Sequence, residues 1–360
     1  MLEVITEILN EIIDNGYQAY VVGGFVRDYY LGKISDDIDI CTNAKIDDIR
    51  NIFDNIISVD DNYGAIAIEY KGIYCEITTF RKDVIYRNNR KPIVEYVDTL
   101  AEDLIRRDFT INTLCMDKDL NIIDLFNAKT DIDNKIIRSV GNPFDKINED
   151  ILRILRAIRL ATILIFNIDK QLKDAIIKHK HLLKNLSYER KREELDKIFS
   201  SDNVKYGIKL ILSLKLDDVL ELSNLNKVKI TTNPLGIWAQ LDANSNYFNK
   251  RERKIIDDVK KLLILDHIDN YTLYQYDLVA IEIVSEINDR DLKKQYESLP
   301  IKHKKDIVIK FNDIKAILSI DDKIKIRNIL DDIEKLIVLG KLTNDIDVIK
   351  QYILNKYSGR

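Results

Sequence analysis

The chain has 360 residues, of which 46% are hydrophobic and 32% charged, so its composition excludes a disordered polymer and suits two or three packing units. Eleven glycines and four prolines exclude a collagen-like chain, and three well-separated cysteines indicate reduced thiols rather than a disulfide framework or a zinc site. The net charge of −4 is unevenly distributed: it is −10 over residues 1–140, +5 over 141–210 and +1 over 211–360. An acidic region followed by a basic one suits a metal site beside a phosphate-binding surface. Charged residues on a solvated surface also produce such an uneven distribution.

The chain begins with apolar residues at helical spacing, which predict a helix over residues 2–14 that ends at an Asn-Gly pair. Three glutamates interrupt this apolar stretch, so we do not expect a signal peptide. The longest stretch that resembles a membrane segment, residues 160–166, is too short to cross a bilayer. The sequence therefore predicts a soluble, cytoplasmic protein that has no membrane partner.

Short β-type runs dominate the rest of the first 140 residues. Two of them flank Lys71-Gly72 and predict a β-hairpin, whereas residues 81–92 show no periodicity and are expected to form a mobile loop. The predicted strands are residues 19–22, 38–40, 65–70, 73–80, 111–116 and 121–125. We expect a mixed sheet with a few helices in this part of the chain.

From residue 141 onward glycine is rare and helical spacing dominates, which predicts an all-α remainder. The clearest predicted helices are residues 149–161, 170–185 and 188–199. The predicted fold class is therefore α+β, with the mixed sheet first and helices after it.

The first candidate site combines two glycines with two acidic residues. Gly23 and Gly24 follow the first predicted strand, where the bare backbone can approach a phosphate closely, and Arg27 adds a fork of donors. Asp37 and Asp39 lie two residues apart on a predicted strand, so both carboxylates project from one face. Paired carboxylates repel unless a divalent cation lies between them, and Mg²⁺ is usually held by one or two carboxylates and substrate phosphates. A D-x-D pair alone is common, but at this spacing from the glycines it is a strong signal.

Two further clusters follow along the chain. Arg106, Arg107 and Asp108 adjoin one another, and taken alone they are consistent with a surface ion pair. Asp150 and Arg153 are three residues apart on a predicted helix, so they are neighbours on one face and offer an acceptor beside a donor fork. Such a pair can read the hydrogen-bonding edge of a nucleobase, although an ordinary helical salt bridge uses the same residues.

Arginines continue along this predicted helix. Each three-residue step rotates a side chain by about 60° around the helix axis. Arg156 can therefore share the site with Arg153, whereas Arg159 is expected at its edge.

In this order, GG-x-x-RD, D-x-D, RRDFTIN, ED-x-x-R-x-x-R and S-Y-E-R-x-R-x-E resemble the successive motifs of the class II tRNA nucleotidyltransferases and bacterial poly(A) polymerases. The motifs span roughly residues 18–200, and several matches in family order do not arise readily by chance. The resemblance implies a polymerase-β-like nucleotidyltransferase head over residues 1–140 and a helical neck over 141–205. It also implies helical body and tail regions over 206–360 that bind tRNA.

The resemblance implies roles for individual residues. Asp37 and Asp39 would hold the catalytic Mg²⁺, and Glu76 is a candidate third carboxylate, against the alternative of an ordinary exposed strand glutamate. The nucleotide-binding residues implied are Gly24 and Arg27 for the triphosphate, Arg107 for the nucleotide, Asp108 for the ribose 2′-hydroxyl, Asp150 and Arg153 for the base of CTP or ATP, and Arg156 and Arg159 in support.

One motif departs from the family pattern. The family usually has a glycine-containing turn after the aspartate that corresponds to Asp124, and this chain has none there. Asn127 tolerates a left-handed turn, so we expect the hinge implied at this point to persist in a stiffer form.

The sequence is thus interpreted as a CCA-adding tRNA nucleotidyltransferase, which transfers CMP and AMP from CTP and ATP to the tRNA 3′-hydroxyl without a nucleic-acid template. Residues 81–90 occupy the place of a loop that CC-adding relatives shorten, which disfavours CC-only addition. The near-neutral residues 211–360 disfavour a poly(A) polymerase, while an A-adding enzyme stays open. A nucleotide- or RNA-binding regulator without catalysis is the alternative from another class, and the intact Asp37 and Asp39 disfavour it.

Overall fold

The computed structural model describes residues 1–87 and 91–358. The chain divides into two compact units, Met1–Leu222 and Ser223–Arg360, which are described separately below. Within the described residues, no helix combines the length and the apolar character needed to span a membrane.

Strands give way to helices along the first unit. Its strands are β1 (Ala19–Val22), β2 (Ile38–Thr42), β3 (Ile56–Asp60), β4 (Ala65–Tyr70), β5 (Ile73–Thr79), β6 (Arg81–Arg87), β7 (Lys91–Tyr96), β8 (Cys115–Met116), β9 (Ile122–Ile123), β10 (Ile136–Ile137) and β11 (Asn167–Ile168). Its α-helices are α1 (Leu2–Asp14), α2 (Gly24–Tyr30), α3 (Ile46–Ile52), α4 (Leu100–Ile105), α5 (Ala128–Asp133), α6 (Pro143–Glu149), α7 (Arg153–Leu164), α8 (Lys170–His179), α9 (Tyr188–Phe199) and α10 (Val204–Ser213). The predicted α+β class is confirmed.

The main sheet has seven strands in the order β3-β4-β5-β2-β1-β8-β9. The pair β2–β5 is parallel and the other neighbours are antiparallel, which confirms the predicted mixed sheet. The predicted hairpin joins β4 to β5, and both turn residues have positive φ, 50° at Lys71 and 80° at Gly72. Two consecutive positive φ values match the right-handed twist of the flanking strands.

The prediction of a loop over residues 81–92 was wrong. Strands β6 and β7 pair antiparallel there as a ribbon separate from the main sheet, while residues 88–90 lie outside the described residues. A ribbon outside the main sheet is not a half-buried strand pair of that sheet, so its sequence need not alternate strictly between apolar and polar residues. The two strands predicted after it were too long, because residues 110–112 form a 3₁₀ turn and pairing is limited to β8 and β9.

The predicted helix over residues 149–161 was wrong at its start. Helix α6 ends at Glu149 and α7 begins at Arg153. Asp150 lies between them in an extended conformation (φ −142°, ψ 108°), and its Oδ1 accepts a hydrogen bond from the Leu152 amide at 3.0 Å. Aspartate side chains compete for backbone amides in this way, and this favours a helix boundary over a helix interior.

Other predicted helices agree more closely with the structure. The N-terminal helix is α1, whose apolar face (Ile5, Ile8, Leu9 and Ile12) is buried. Helix α9 has the predicted bounds, whereas residues 170–185 divide into α8 and a 3₁₀ segment. Helix α7 packs on α9 and α10, and a Cβ at Gly207 of α10 would lie only 2.7 Å from Thr162 Oγ1 of α7. The glycine therefore permits the approach that fixes α7 in place.

In the described residues of the second unit, helices are joined by loops, and the only β-pairing is an isolated bridge between Ser223 and Asp242. Its α-helices are α11 (Pro234–Gln240), α12 (Lys250–Leu263), α13 (Asn270–Tyr274), α14 (Leu278–Asn288), α15 (Leu292–Glu297), α16 (Phe311–Leu318), α17 (Lys323–Val338) and α18 (Ile346–Tyr357). Trp238 is buried and packs against Tyr247 and Phe248, with ring centroids 5.0 and 5.3 Å away.

Candidate active site

A single cleft of about 770 Å³ in the first unit brings together most of the predicted site residues. The predicted residues that line it are Gly24, Arg27, Asp37, Asp39, Arg107, Asp108, Asp150, Arg153, Arg156 and Arg159. Gly23, grouped with Gly24 in the sequence analysis, and Arg106, grouped there with Arg107, also line the cleft. The lining residues to which the sequence analysis gave no role are Asp28, Arg81, Asp83, Asn112, Leu160 and Ile163. Arginine and aspartate dominate the lining, so the cleft is built for a charged ligand.

The acidic pair lies at the start of β2. Asp37 is exposed and immediately precedes the strand, and Asp39 is its second residue. Glu76 of β5 pairs with Asp39 in parallel register, so both side chains project from the same face of the sheet. Glu76 is exposed and is not among the residues that line the cleft. Its role as a third carboxylate stays a prediction.

The electrostatics of Asp39 fit a cation. Burial, followed by the charge of Asp37, raises the pKa of Asp39 to about 6, with a further rise from Glu76 and opposition from Arg107. Among the described residues, no group of three or more His, Cys, Asp or Glu side chains is arranged to hold a metal ion. Two carboxylates that repel each other in a partly buried place suit a hard divalent cation that takes its other oxygen ligands from substrate and water.

The turn before α2 brings the backbone close to this pair. Gly23 has φ +83°, and a Cβ there would lie 3.4 Å from both Asp39 Oδ2 and Arg107 Nη1. The absence of a side chain thus keeps the cleft open between the carboxylates and the arginine. Arg27 follows one helical turn later, where it forms two 2.9 Å hydrogen bonds to Asp28 and donates to Asn112 Oδ1 at 2.7 Å.

Asp108 is a cleft carboxylate held by hydrogen bonds from three residues. It accepts hydrogen bonds from the Phe109 amide at 2.8 Å, Asn112 Nδ2 at 3.1 Å and Arg156 Nε at 2.7 Å. Burial alone would raise the pKa of Asp108, but the charge of Arg156 and these hydrogen bonds lower it to about 2. The sequence analysis missed this pair because its members are 48 residues apart in the chain.

This ion pair leads to a prediction for acid unfolding. The pKa of Asp108 is about 2 in the folded protein and near 3.8 when unfolded, so the ionised carboxylate should contribute roughly 2 kcal/mol of stability above pH 4. That contribution should disappear as the pH falls from about 4 to about 2. In urea titrations, Asp108→Asn should therefore lose less stability than the wild type over this range. Parallel pH profiles would contradict the assignment, and the exposed Asp36→Asn serves as the control.

Asp150 and Arg153 line the same cleft, but they do not share a helix face as the sequence analysis assumed. The break between α6 and α7 places Asp150 before the helix, with its Oδ1 3.9 Å from Arg190 Nη2. Arg153 is buried and donates to Glu149 Oε2 at 2.7 Å, to the Lys146 carbonyl at 2.8 Å and to the Arg106 carbonyl at 3.0 Å. Their role as base readers stays a prediction.

The two remaining predicted features are the position of Arg159 and the left-handed turn at Asn127. Arg159, expected at the edge of the site, lines the cleft, and its Nε lies 3.2 Å from Oε2 of the buried Glu194 in α9. Asn127 adopts the expected left-handed conformation (φ 58°), and Asp124 accepts hydrogen bonds from the Ala128 and Lys129 amides just after it. A turn without glycine is therefore accommodated at this position.

Comparison with known proteins extends these observations over most of the chain. Residues 19–138 match a family described as the poly A polymerase head domain. Residues 165–223 match a probable RNA and SrmB-binding site of polymerase A, and residues 240–353 match a putative domain 2 of tRNA nucleotidyltransferases.

Relatives cover nearly the whole chain. The CCA-adding enzyme of Oceanobacillus iheyensis is 32% identical over 383 residues, which cover 96% of each chain. The CCA-adding enzyme of Streptococcus mutans is 32% identical over 381 residues, covering 96% of this chain and 95% of the relative. The crystal structure of the Bacillus stearothermophilus CCA-adding enzyme in complex with CTP has a TM-score of 0.87 at 25% identity, and covers 99% of this chain and 97% of the other.

Proposed function

This chain belongs to the class II tRNA nucleotidyltransferases, the family of the CCA-adding enzymes, and from that membership we propose that it completes the CCA end of tRNA. It is a nucleotidyltransferase. In the proposed reaction the tRNA 3′-hydroxyl attacks the α-phosphate of CTP or ATP, and pyrophosphate leaves. The observation that carries the proposal is the single cleft in which the Asp37–Asp39 pair and the Asp150–Arg153 pair meet.

The residues of the cleft divide the chemistry between them. Asp37 and Asp39 would hold Mg²⁺, which supplies stabilisation of negative charge at the reacting phosphate. The open turn at Gly23 lets the triphosphate approach, and Arg27 is held in a fixed position to meet it. Asp108 keeps its negative charge at neutral pH and would accept a hydrogen bond from a ribose hydroxyl. Catalysis then depends chiefly on positioning and charge stabilisation.

The substrates and the location follow from the same proposal. CTP and ATP enter the cleft, and the tRNA acceptor arm would extend over the helical segments, including the second unit. The three cysteines are free and buried, which suits the reducing conditions of the cytoplasm.

Incorporation of labelled nucleotides tests the proposed function. A tRNA lacking its 3′ CCA should accept two C and one A from labelled CTP and ATP in the presence of Mg²⁺. Addition of A alone, and only to tRNA that already ends in CC, would identify an A-adding enzyme instead. Long runs of A would identify a poly(A) polymerase, and no incorporation by folded protein would favour a regulator without catalysis.

The charge distribution predicts how tRNA binding depends on salt. Residues 141–210 carry a net charge of +5 and residues 1–140 a net charge of −10, so tRNA phosphates should prefer the basic segment. Each phosphate contact should add roughly −0.7 to −0.9 to the slope of log affinity against log salt. Lys184→Glu, an exposed site in the basic segment, should flatten this slope, and the exposed Lys118→Glu in the acidic segment should not. A wild-type affinity that does not change with salt would contradict this arrangement.

A further inference from the structure

Asp103, in α4, is completely buried and yet bonds to three arginine residues that line the cleft. Its Oδ1 accepts hydrogen bonds from the Arg81 backbone amide at 3.2 Å and from Arg106 Nε at 2.8 Å. Its Oδ2 lies 3.5 Å from Arg107 Nη2. The aspartate itself does not line the cleft, so anything it does for a ligand must act through the arginines.

Two of the three arginines have hydrogen-bond donors that no other described residue satisfies. The Nε atoms of Arg81 and Arg107 are buried and have no hydrogen-bond partner among the described residues. Burial, and then the nearby charge of Arg106, lowers the pKa of Arg81, whose guanidinium lies 5.1 Å above the Tyr63 ring. Crowded cations with buried, unpaired donors favour binding of a multiply charged anion.

The position of the cluster indicates which anion fits. Arg107 Nη1 and Asp39 Oδ2 both lie 3.4 Å from the point where a Gly23 Cβ would be, so the arginine cluster adjoins the acidic pair. A triphosphate that meets a cation at Asp37 and Asp39 would thus bring its outer phosphates within reach of guanidinium forks. Planar forks of this kind match phosphate oxygens bidentately.

We propose that Asp103 is a positioning residue that presents Arg81, Arg106 and Arg107 as one binding site for the polyphosphate part of the incoming nucleotide and for the pyrophosphate product. This inference rests on the proposed function only in taking a nucleoside triphosphate as the substrate. The hydrogen bond to the Arg81 amide also ties the start of the β6–β7 ribbon to the arginine pair after α4, so one carboxylate aligns two separate segments of the cleft wall.

Substitution of two buried aspartates tests the proposal. Asp103→Asn keeps the shape but removes the charge that orients the arginines. Asp131→Asn is the matched control, because Asp131 is also buried and binds Arg138 Nε at 3.1 Å, yet neither residue lines the cleft. Binding of inorganic pyrophosphate, measured by calorimetry without tRNA, should weaken about tenfold to a hundredfold in Asp103→Asn and stay within about twofold of wild type in Asp131→Asn.

Further measurements distinguish a role of Asp103 in positioning the arginines from a general loss of structure in the variant. The KM for CTP and ATP should rise in Asp103→Asn by a factor similar to the loss in pyrophosphate affinity, while tRNA affinity stays unchanged. If Asp103→Asn does not fold, Arg106→Lys keeps the charge but loses the fork, and it should weaken pyrophosphate binding about tenfold. Unchanged pyrophosphate affinity in a folded variant, equal losses in both aspartate variants, or a loss confined to tRNA binding would each overturn the proposal. Wild-type protein that binds pyrophosphate but adds no CCA would refute the proposed function and leave this site intact.

Discussion

Asp39→Ala is expected to lower nucleotide addition at least about a thousandfold with both CTP and ATP, because one metal site serves both reactions and stabilises the reacting phosphate by several kcal/mol. The side chain lies in the cleft beside Asp37 and Arg107, at the point where the Gly23 turn leaves room for a phosphate. Single-turnover rates with tRNA lacking CCA, measured separately for each nucleotide, check this expectation.

Folding should survive this substitution. Burial and the charge of Asp37 raise the pKa of Asp39 by more than Arg107 lowers it, so removing its carboxylate relieves a net unfavourable environment. Arg107 keeps Asp103 as its partner. Thermal unfolding of Asp39→Ala at neutral pH should therefore occur at or above the wild-type temperature. Asp36→Ala is the matched control, since Asp36 is an exposed carboxylate in the same segment that does not line the cleft, and its activity should be unchanged. Turnover above about a thousandth of wild type in Asp39→Ala would refute the assignment of the metal site.

The features that were predictable from sequence are those set by neighbouring residues. The apolar spacing of α1, the Lys71-Gly72 turn and the bounds of α9 depend on local periodicity and turn chemistry, and all three are confirmed. The candidate site was also accessible from sequence, because its motifs are short and each is contiguous. Local patterns suffice when the residues that interact are within a few positions of one another.

Features that depend on distant residues were missed. The Asp108–Arg156 ion pair joins residues 48 positions apart, and no local pattern connects them. Asp103 has no distinctive spacing, and its role emerges only when the fold brings the Arg81 amide to it from β6. The helix boundary at Asp150 was missed for a different reason, since apolar periodicity continues across it and the side-chain hydrogen bond to the Leu152 amide ends the helix anyway.

The broken helix sharpens the expected result for base selection. Asp150 precedes α7, so its carboxylate is fixed by the chain around the boundary and by the Leu152 amide rather than by a helix face. A carboxylate accepts from the amino group that both C and A carry, whereas G and U present a carbonyl oxygen at the equivalent edge, which the carboxylate repels. Arg153, held by the Lys146 and Arg106 carbonyls, would offer donors to both accepted bases. The pair would therefore accept C and A and reject G and U.

Asp150→Ala should accordingly raise the use of UTP and GTP relative to CTP and ATP by roughly one to two orders of magnitude, the equivalent of about 1–3 kcal/mol for one good base contact. Arg153→Ala should instead depress CTP and ATP use together, with some loss of stability because the buried guanidinium joins α7 to two carbonyl groups. The matched control is Asp145→Ala, an exposed aspartate on α6 outside the cleft, which should leave selectivity unchanged. Ratios of kcat/KM for the four nucleotides on one tRNA substrate provide the measurement. If Asp150→Ala lowered every rate equally and kept full selectivity for C and A, the boundary between α6 and α7 would be structural and the base would be read elsewhere in the cleft.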